Sequence, residues 1–444
     1  MRNIDIRKIF IFSITFFILV LPYSRLKFGP LPIYFVDLVT IGSLVYMAPY
    51  SLKASKLGRV ILLYLLFTLL TGAVELIMYR SIDSIYMLMR YSLSMASVLV
   101  LPKLILNSNY FRVLMKAVAL SLVINAVLAS SWVFPVTRSA MQIVFKQEIL
   151  YPQKDAFLED LEKDQASRGR TLAGNSNSTA FLLFTGIIIS LTLVRLKIGK
   201  LPWYIFPGLI LGLMSILLTL SRSAYLTLAL LLGYMFLKKG SRKYVRYFII
   251  SGVFVGGIFL MFNINSSTVD FERITKSFDM ATGEQKLGYG EEARVLSWTL
   301  PLQRVVEDPK YLFYGRGISI NKIKRSKGGE LQTDFSLRGG LNHSFFASIT
   351  YERGLLAFFI FLSIYAKLWS KSFRELKRLK EARLIALREM VRLLLLNLVF
   401  PLLVAHYLTD SEMGSYQLFF VFAIVITTIN FIHNERSNYI SSIR

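Results

Sequence analysis

The sequence predicts an all-α polytopic membrane protein of about 12 transmembrane helices, with a large external loop that carries amphipathic helices. Three observations predict it. Hydrophobic residues make up 54% of the 444. They fall in blocks of about 20, the length an α-helix needs to cross roughly 30 Å of hydrocarbon. Between the blocks, Lys and Arg gather in alternate connections, as the positive-inside rule requires. Unpaired backbone amides are not tolerated in lipid, so the blocks must be helices rather than open strands.

Apolar spans lie near 8–23, 30–49, 60–79, 83–102, 112–135, 172–194, 201–219, 223–237, 247–263, 344–366, 391–408 and 415–432. The first follows a basic start, MRNIDIRK, and lacks a small-x-small cleavage site before Pro22, so it reads as an uncleaved helix. With that start inside, the cytoplasmic segments carry about 28 Lys/Arg against about 5 Asp/Glu. They include SLKASKLGR, RLKIGK, KKGSRKYVR and a basic loop near 367–392. The two long external segments are nearly balanced, at about 18 basic and 16 acidic residues. A net charge of +25 spread in this way sets topology and attracts anionic membrane lipids; it excludes a nucleic-acid partner.

The chain divides accordingly. Residues 1–136 hold helices 1–5, 137–171 an acidic external loop, and 172–263 helices 6–9. Residues 264–343 form the large external loop, and 344–444 hold helices 10–12. From Leu201 to Leu237 the only charge is Arg222. A single helix of that length would be nearly twice the hydrocarbon thickness, so the run must be a hairpin turning at Ser221-Arg222-Ser223. Arg222 at such a turn is either a functional group or a side chain snorkelling to the headgroups. In the large loop, EEARVLSWTLPLQRVVEDP places Val295, Trp298, Leu302, Val305 and Val306 at helical spacing, with Arg294 and Arg304 near the headgroups. The apolar run after Arg353 is too short to cross alone, which draws Glu352 and Arg353 into the outer third of span 10. There they pair with each other or with partners on other helices. Arg90, inside span 4, is the main charge set apart from the external surface.

Parity therefore brings Arg170, Arg222, Arg294, His343, Glu352 and Arg353 to the outer face or the outer third of the membrane. Arginine forks bind diphosphate oxygens bidentately and stay charged. A neutral histidine can take a proton from a sugar hydroxyl. No metal and no cofactor is expected: the chain has no cysteine, its three histidines are scattered, and the external segments hold no Asp-x-Asp pair. Phosphate-loop, nucleophile-elbow and His-Glu-x-x-His signatures are missing too.

Four stretches resemble the O-antigen ligase and polymerase superfamily of bacterial polysaccharide-assembly membrane proteins: RGRTLAGNSNSTAFLL, LTLSRSAYLTLALLLG, RVLSWTLPLQRVVEDPKYLFYGRGI and NHSFFASITYERGLLAFF. They occur in the family's order over about 170–360, while spans 1–5 match only in hydropathy. The last stretch is similar to the ligase-type pattern of His, then Asn/Ser/Gln, nine residues, Gly, two residues and Gly/Thr/Tyr. Here Ala357 departs from the final position, and Ser176 stands where the family often has Pro.

The resemblance implies a GT-C-like, metal-independent inverting glycosyltransferase in the bacterial inner membrane, with its site on the periplasmic face. Its donor would be an undecaprenyl-diphosphate-linked glycan, and its acceptor a second glycan (polymerase) or a lipid A core (ligase). A chain-length regulator would be a further partner. On the matching positions, His343 would be the general base. Arg222 and Arg294 would hold the donor diphosphate, and Arg170 would join that cradle; Glu352 and Arg353, brought near by topology rather than by the resemblance, are supporting candidates. A twelve-helix transporter of lipid-linked glycans is the alternative; it would carry an internal repeat and charges at the membrane midplane.

Overall fold

The computed structural model describes residues 5–28, 31–49, 56–79, 82–133, 137, 171–172, 176–196, 201–219, 221–238, 306, 309–315, 345–376, 379, 381–404 and 412–443. These residues form a helical bundle typical of a membrane-embedded protein. Among them, six helices are long and apolar enough to cross a membrane, and shorter apolar helices pack beside them.

Helix α1 (Ile6–Leu19) leads into a two-stranded antiparallel hairpin, β1 (Arg25–Phe28) and β2 (Leu31–Tyr34), in which Arg25 faces Tyr34. Helix α2 (Phe35–Met47) follows directly. The span expected over 30–49 therefore starts five residues late. Pro32 has no amide hydrogen to give a helix interior, and residues 31–34 pair with β1 instead; the Phe35 N–H donates to the Ser24 carbonyl at 3.0 Å.

Helices α3 (Lys56–Tyr79), α4 (Ile82–Leu104) and α5 (Ser108–Val133) come next, then α6 (Ser176–Leu196), α7 (Ile205–Leu218) and α8 (Arg222–Leu237). The short α9 (Lys310–Tyr314) precedes α10 (Phe345–Ser370), which widens into a π turn over Lys371–Glu375. Helices α11 (Ala382–Asn397), α12 (Val399–Val404) and α13 (Glu412–Ile443) complete the described chain.

Two expectations at this end need correction. The basic stretch 367–392 is largely helical, the end of α10 with its π turn and the start of α11, rather than a loop. The span placed at 391–408 is interrupted near Leu398. Pro401 cannot donate to the Asn397 carbonyl, and its ring crowds that group. Asn397, fully buried at the break, sends its side-chain N–H groups to the Phe181 carbonyl at 3.3 Å and Thr185 Oγ1 at 3.1 Å.

Helix α13 is the axis of the bundle. Its membrane-length window is 94% buried within the protein, against 33% for α3, which lies at the rim. It packs on α4 and α11, while α5 packs on α1, α6 and α7. Small residues allow the closest approaches: a Cβ at Gly186 or Gly212 would strike Leu122 of α5, and one at Gly72 would strike Leu88.

The bundle has two distinct ends. At one, Arg7 reaches the Tyr46 hydroxyl and Arg383 lies 3.8 Å from Glu435; this is the basic end. At the other, the hairpin end, Asn125 donates to the Leu19 carbonyl at 2.8 Å.

Candidate functional site

At the hairpin end, the N-termini of α6 and α8 meet. Asn177 lies in the first turn of α6, and its side-chain carbonyl accepts from both Ser221 and Ser223, the latter at 3.3 Å. Ser221 also caps α8, accepting from the Ala224 N–H at 3.3 Å, as a serine in extended conformation before a helix does. Helix α7 ends at Leu218 and Arg222 is the first residue of α8, so Arg222 belongs to the helix rather than to the turn before it. Thr171 is fastened to the same face: its N–H donates to Thr179 Oγ1 at 3.1 Å, and the two hydroxyls stand 3.2 Å apart. Two helix N-termini side by side present the positive ends of two helix dipoles. With an arginine on the first residue of one of them, the arrangement suits a phosphate group.

A second locus lies in α10, which is two helices joined at a kink. Gly354 breaks it at φ +81° and ψ 172°, a region that only glycine enters without strain. Helix α9 docks on the break. Gly315, at φ +72°, sits so close to the Glu352–Arg353 peptide that a Cβ there would overlap it; a Cβ at Gly354 would overlap the Phe313 carbonyl. The two glycines let the backbones of α9 and α10 touch.

Glu352 and Arg353, in the last turn before the break, are buried. Arg353 Nη1 donates to the Tyr64 hydroxyl of α3 at 2.7 Å, and its guanidinium lies 3.9 Å over the Tyr91 ring of α4. It therefore joins α10 to α3 and α4.

Beside Tyr91, Arg90 is 1% exposed. Its Nε stands 3.6 Å from Asp37 Oδ2 of α2, and its guanidinium lies 3.7 Å over the Tyr34 ring at the foot of the hairpin. Tyr416 of α13 donates to Asp37 Oδ1 at 2.6 Å. Buried charges are tolerated when paired and hydrogen-bonded in this way.

Arg170, Arg294 and His343 lie outside the described residues, as does the amphipathic helix expected before Pro309, apart from Val306. The structure thus joins two of the four motif stretches, through Asn177, Ser221 and Ser223, and docks part of the third (residues 309–315) on the fourth. Sequence reading missed Asp37 as the partner of Arg90. A signal was present: Asp37 is the one charge in 30–49 and Arg90 the only basic residue in 83–102. Tyr64, Tyr91 and Tyr416 carried no such signal among the 23 tyrosines.

Among the described residues, no cluster of three or more His, Cys, Asp or Glu is placed to hold a metal. No protein-family model matches the chain, and no curated protein matches it in sequence.

Proposed function

We propose that this chain is a membrane glycosyltransferase of about twelve spans that transfers a polyprenyl-diphosphate-linked glycan at the outer face of a bacterial inner membrane. The observation that supports this reading is the meeting of the α6 and α8 N-termini through Asn177, Ser221 and Ser223, with Arg222 on the first residue of α8. Two positive helix ends and an arginine are what a leaving diphosphate needs.

In this reading His343 takes the proton from the acceptor hydroxyl, and the oxygen forms a bond to the anomeric carbon. The bond from that carbon to the diphosphate oxygen breaks, the electron pair leaves with the polyprenyl diphosphate, and configuration inverts. Arg222 and Arg294, with Arg170, hold the charge that develops on the leaving group. The acceptor is a second lipid-linked glycan, which makes the protein a polymerase; a lipid A core would make it a ligase.

The test gives purified protein a lipid-linked repeat unit with and without a lipid A core. A ladder without core identifies a polymerase, and a single mass addition to core identifies a ligase. His343→Ala should abolish either product while the protein stays folded, and Arg222→Lys should fall by about tenfold or more, since an ammonium cannot grip two phosphate oxygens at once. Full ladders from the histidine variant would remove the base assignment.

A second reading rests on a different observation: a discontinuous helix beside the buried charges Arg353, Arg90 and Asp37, a combination that transporters use at their substrate sites. Movement of intact lipid-linked glycan across vesicles, with no transfer product, would favour it.

A further inference from the structure

At the basic end, α10 carries three aromatic rings in a stacked stair. Tyr365 and Trp369 are 6.1 Å apart at 27°, and Trp369 and Phe373 are 4.8 Å apart at 23°. They line an open groove of about 650 Å³ that is closed on one side by Val399 of α12 and bounded at its mouth by Arg374. The stair begins inside a membrane-length apolar segment, Phe345–Arg374, and ends in the π turn. The groove therefore runs from hydrocarbon depth to headgroup depth, with Trp and Tyr where interfacial aromatics sit.

Its walls are built. The Tyr365 hydroxyl donates to the Leu395 carbonyl at 2.8 Å. Arg392 lies 4.2 Å behind the Phe373 ring and donates twice to the Ser372 carbonyl, at 3.1 and 3.2 Å. The π turn that widens the helix here is fixed to α11 by these bonds; such turns recur at functional positions.

Among the described side chains at this mouth, positive charge exceeds negative. Arg388 and Arg392 share one carboxylate, Glu389 Oε1, at 2.9 and 3.2 Å, while Glu389 Oε2 accepts from Tyr234 at 2.6 Å. Two guanidiniums thus meet one carboxylate behind the stair, and the exposed Arg374 guanidinium adds a further positive charge at the lip. Lys367 near the end of α10 and Lys371 in the π turn precede Arg374 in the chain. Among the described residues that line the groove, none is acidic.

We infer that this groove binds an acidic phospholipid of the leaflet at the basic end. One acyl chain lies along the Tyr365–Trp369–Phe373 stair, and the phosphate is held at the Arg374 lip. A zwitterionic lipid would fill the same space but would gain nothing from the excess positive charge. The site is separate from the paired helix ends at the hairpin end and does not rest on the proposed transfer reaction.

The test uses Trp369 as its own reporter. The full chain is placed in phosphatidylcholine vesicles containing a minor fraction of phosphatidylglycerol with brominated acyl chains. The Trp369→Phe variant supplies the signal of the other three tryptophans. The expected result is quenching assigned to Trp369 that saturates at a low fraction of brominated phosphatidylglycerol and needs a much higher fraction of brominated phosphatidylcholine. Arg374→Gln should weaken the acidic-lipid response by roughly fivefold, the loss of one basic side chain beside an anionic headgroup. Circular dichroism unchanged from wild type keeps that comparison valid.

Equal quenching by the two brominated lipids would overturn the inference and leave ordinary boundary lipid. So would an Arg374→Gln response equal to wild type. Relief of quenching by a polyprenyl phosphate at a far lower fraction than by unlabelled phosphatidylglycerol would overturn the choice of occupant.

Discussion

Arg353 shows how one side chain can decide whether three helices hold together. It gives a hydrogen bond to Tyr64 and stacks on Tyr91, both desolvated. A charged hydrogen bond contributes about 1.5–3 kcal/mol and a buried cation–π contact about 2 kcal/mol. Arg353→Ala should therefore lower the midpoint of thermal unfolding in detergent by several degrees, with a loss of about 3 kcal/mol. Arg353→Lys should recover only part of that loss, because an ammonium keeps the charge but not the planar stack. A wild-type midpoint in the alanine variant would show that the guanidinium does not tie α10 to α3 and α4. Sequence reading placed Glu352 and Arg353 in the membrane from the shortness of the run that follows them. Their aromatic partners stayed hidden, because the contacts to Tyr64 and Tyr91 join residues far apart in the chain. Hydropathy carries no information about which tyrosine faces which helix.

At the scale of elements, α9 and the broken α10 act as a pair. Each glycine needs the other backbone to be close: Gly315 rests on the Glu352–Arg353 peptide, and Gly354 on the Phe313 carbonyl. Gly354→Ala and Gly315→Ala should each cost about 1–3 kcal/mol, from strained φ alone or from a Cβ driven into backbone. The two losses describe one contact, so the double variant should cost less than their sum. Thermal unfolding of the two single variants and the double variant would measure this; strict additivity would mean that the segments are fixed independently. The helix break was not readable from the sequence. The residue stood out only as the glycine of a motif, and a lone glycine in an apolar run is equally compatible with an unbroken helix. The interruption at Leu398 and the late start of α2 were better signalled, since Pro401 and Pro32 each remove a donor that a continuous helix requires.

For the whole molecule, composition and hydropathy were enough to read a helical membrane bundle, because lipid leaves so few other ways to satisfy the backbone. The order of packing was not readable; nothing in the hydropathy of 415–432 marks it as the axis. The absence of cysteine makes the remaining topology directly testable. Single replacements Ser241→Cys and Ser326→Cys lie on opposite sides of the span expected at 247–263. In intact cells, a membrane-impermeant maleimide should label Ser326→Cys, while Ser241→Cys should react only after permeabilisation. Labelling of both from outside would remove that crossing and change the parity of everything after it.

The buried position of α13 also bears on how the protein is made. Its main neighbour, α4, lies more than three hundred residues earlier in the chain. At roughly 5–20 residues per second of synthesis, α4 emerges tens of seconds before the helix that covers it. Throughout that interval Arg90 and Asp37 sit in a half-built bundle without the Tyr416 hydroxyl that will complete their network. A ribosome stalled before residue 412 would leave these charges in lipid beside an uncovered face, the kind of intermediate that membrane quality control destroys. The insertion of α13 thus sets a keystone into an arch already standing.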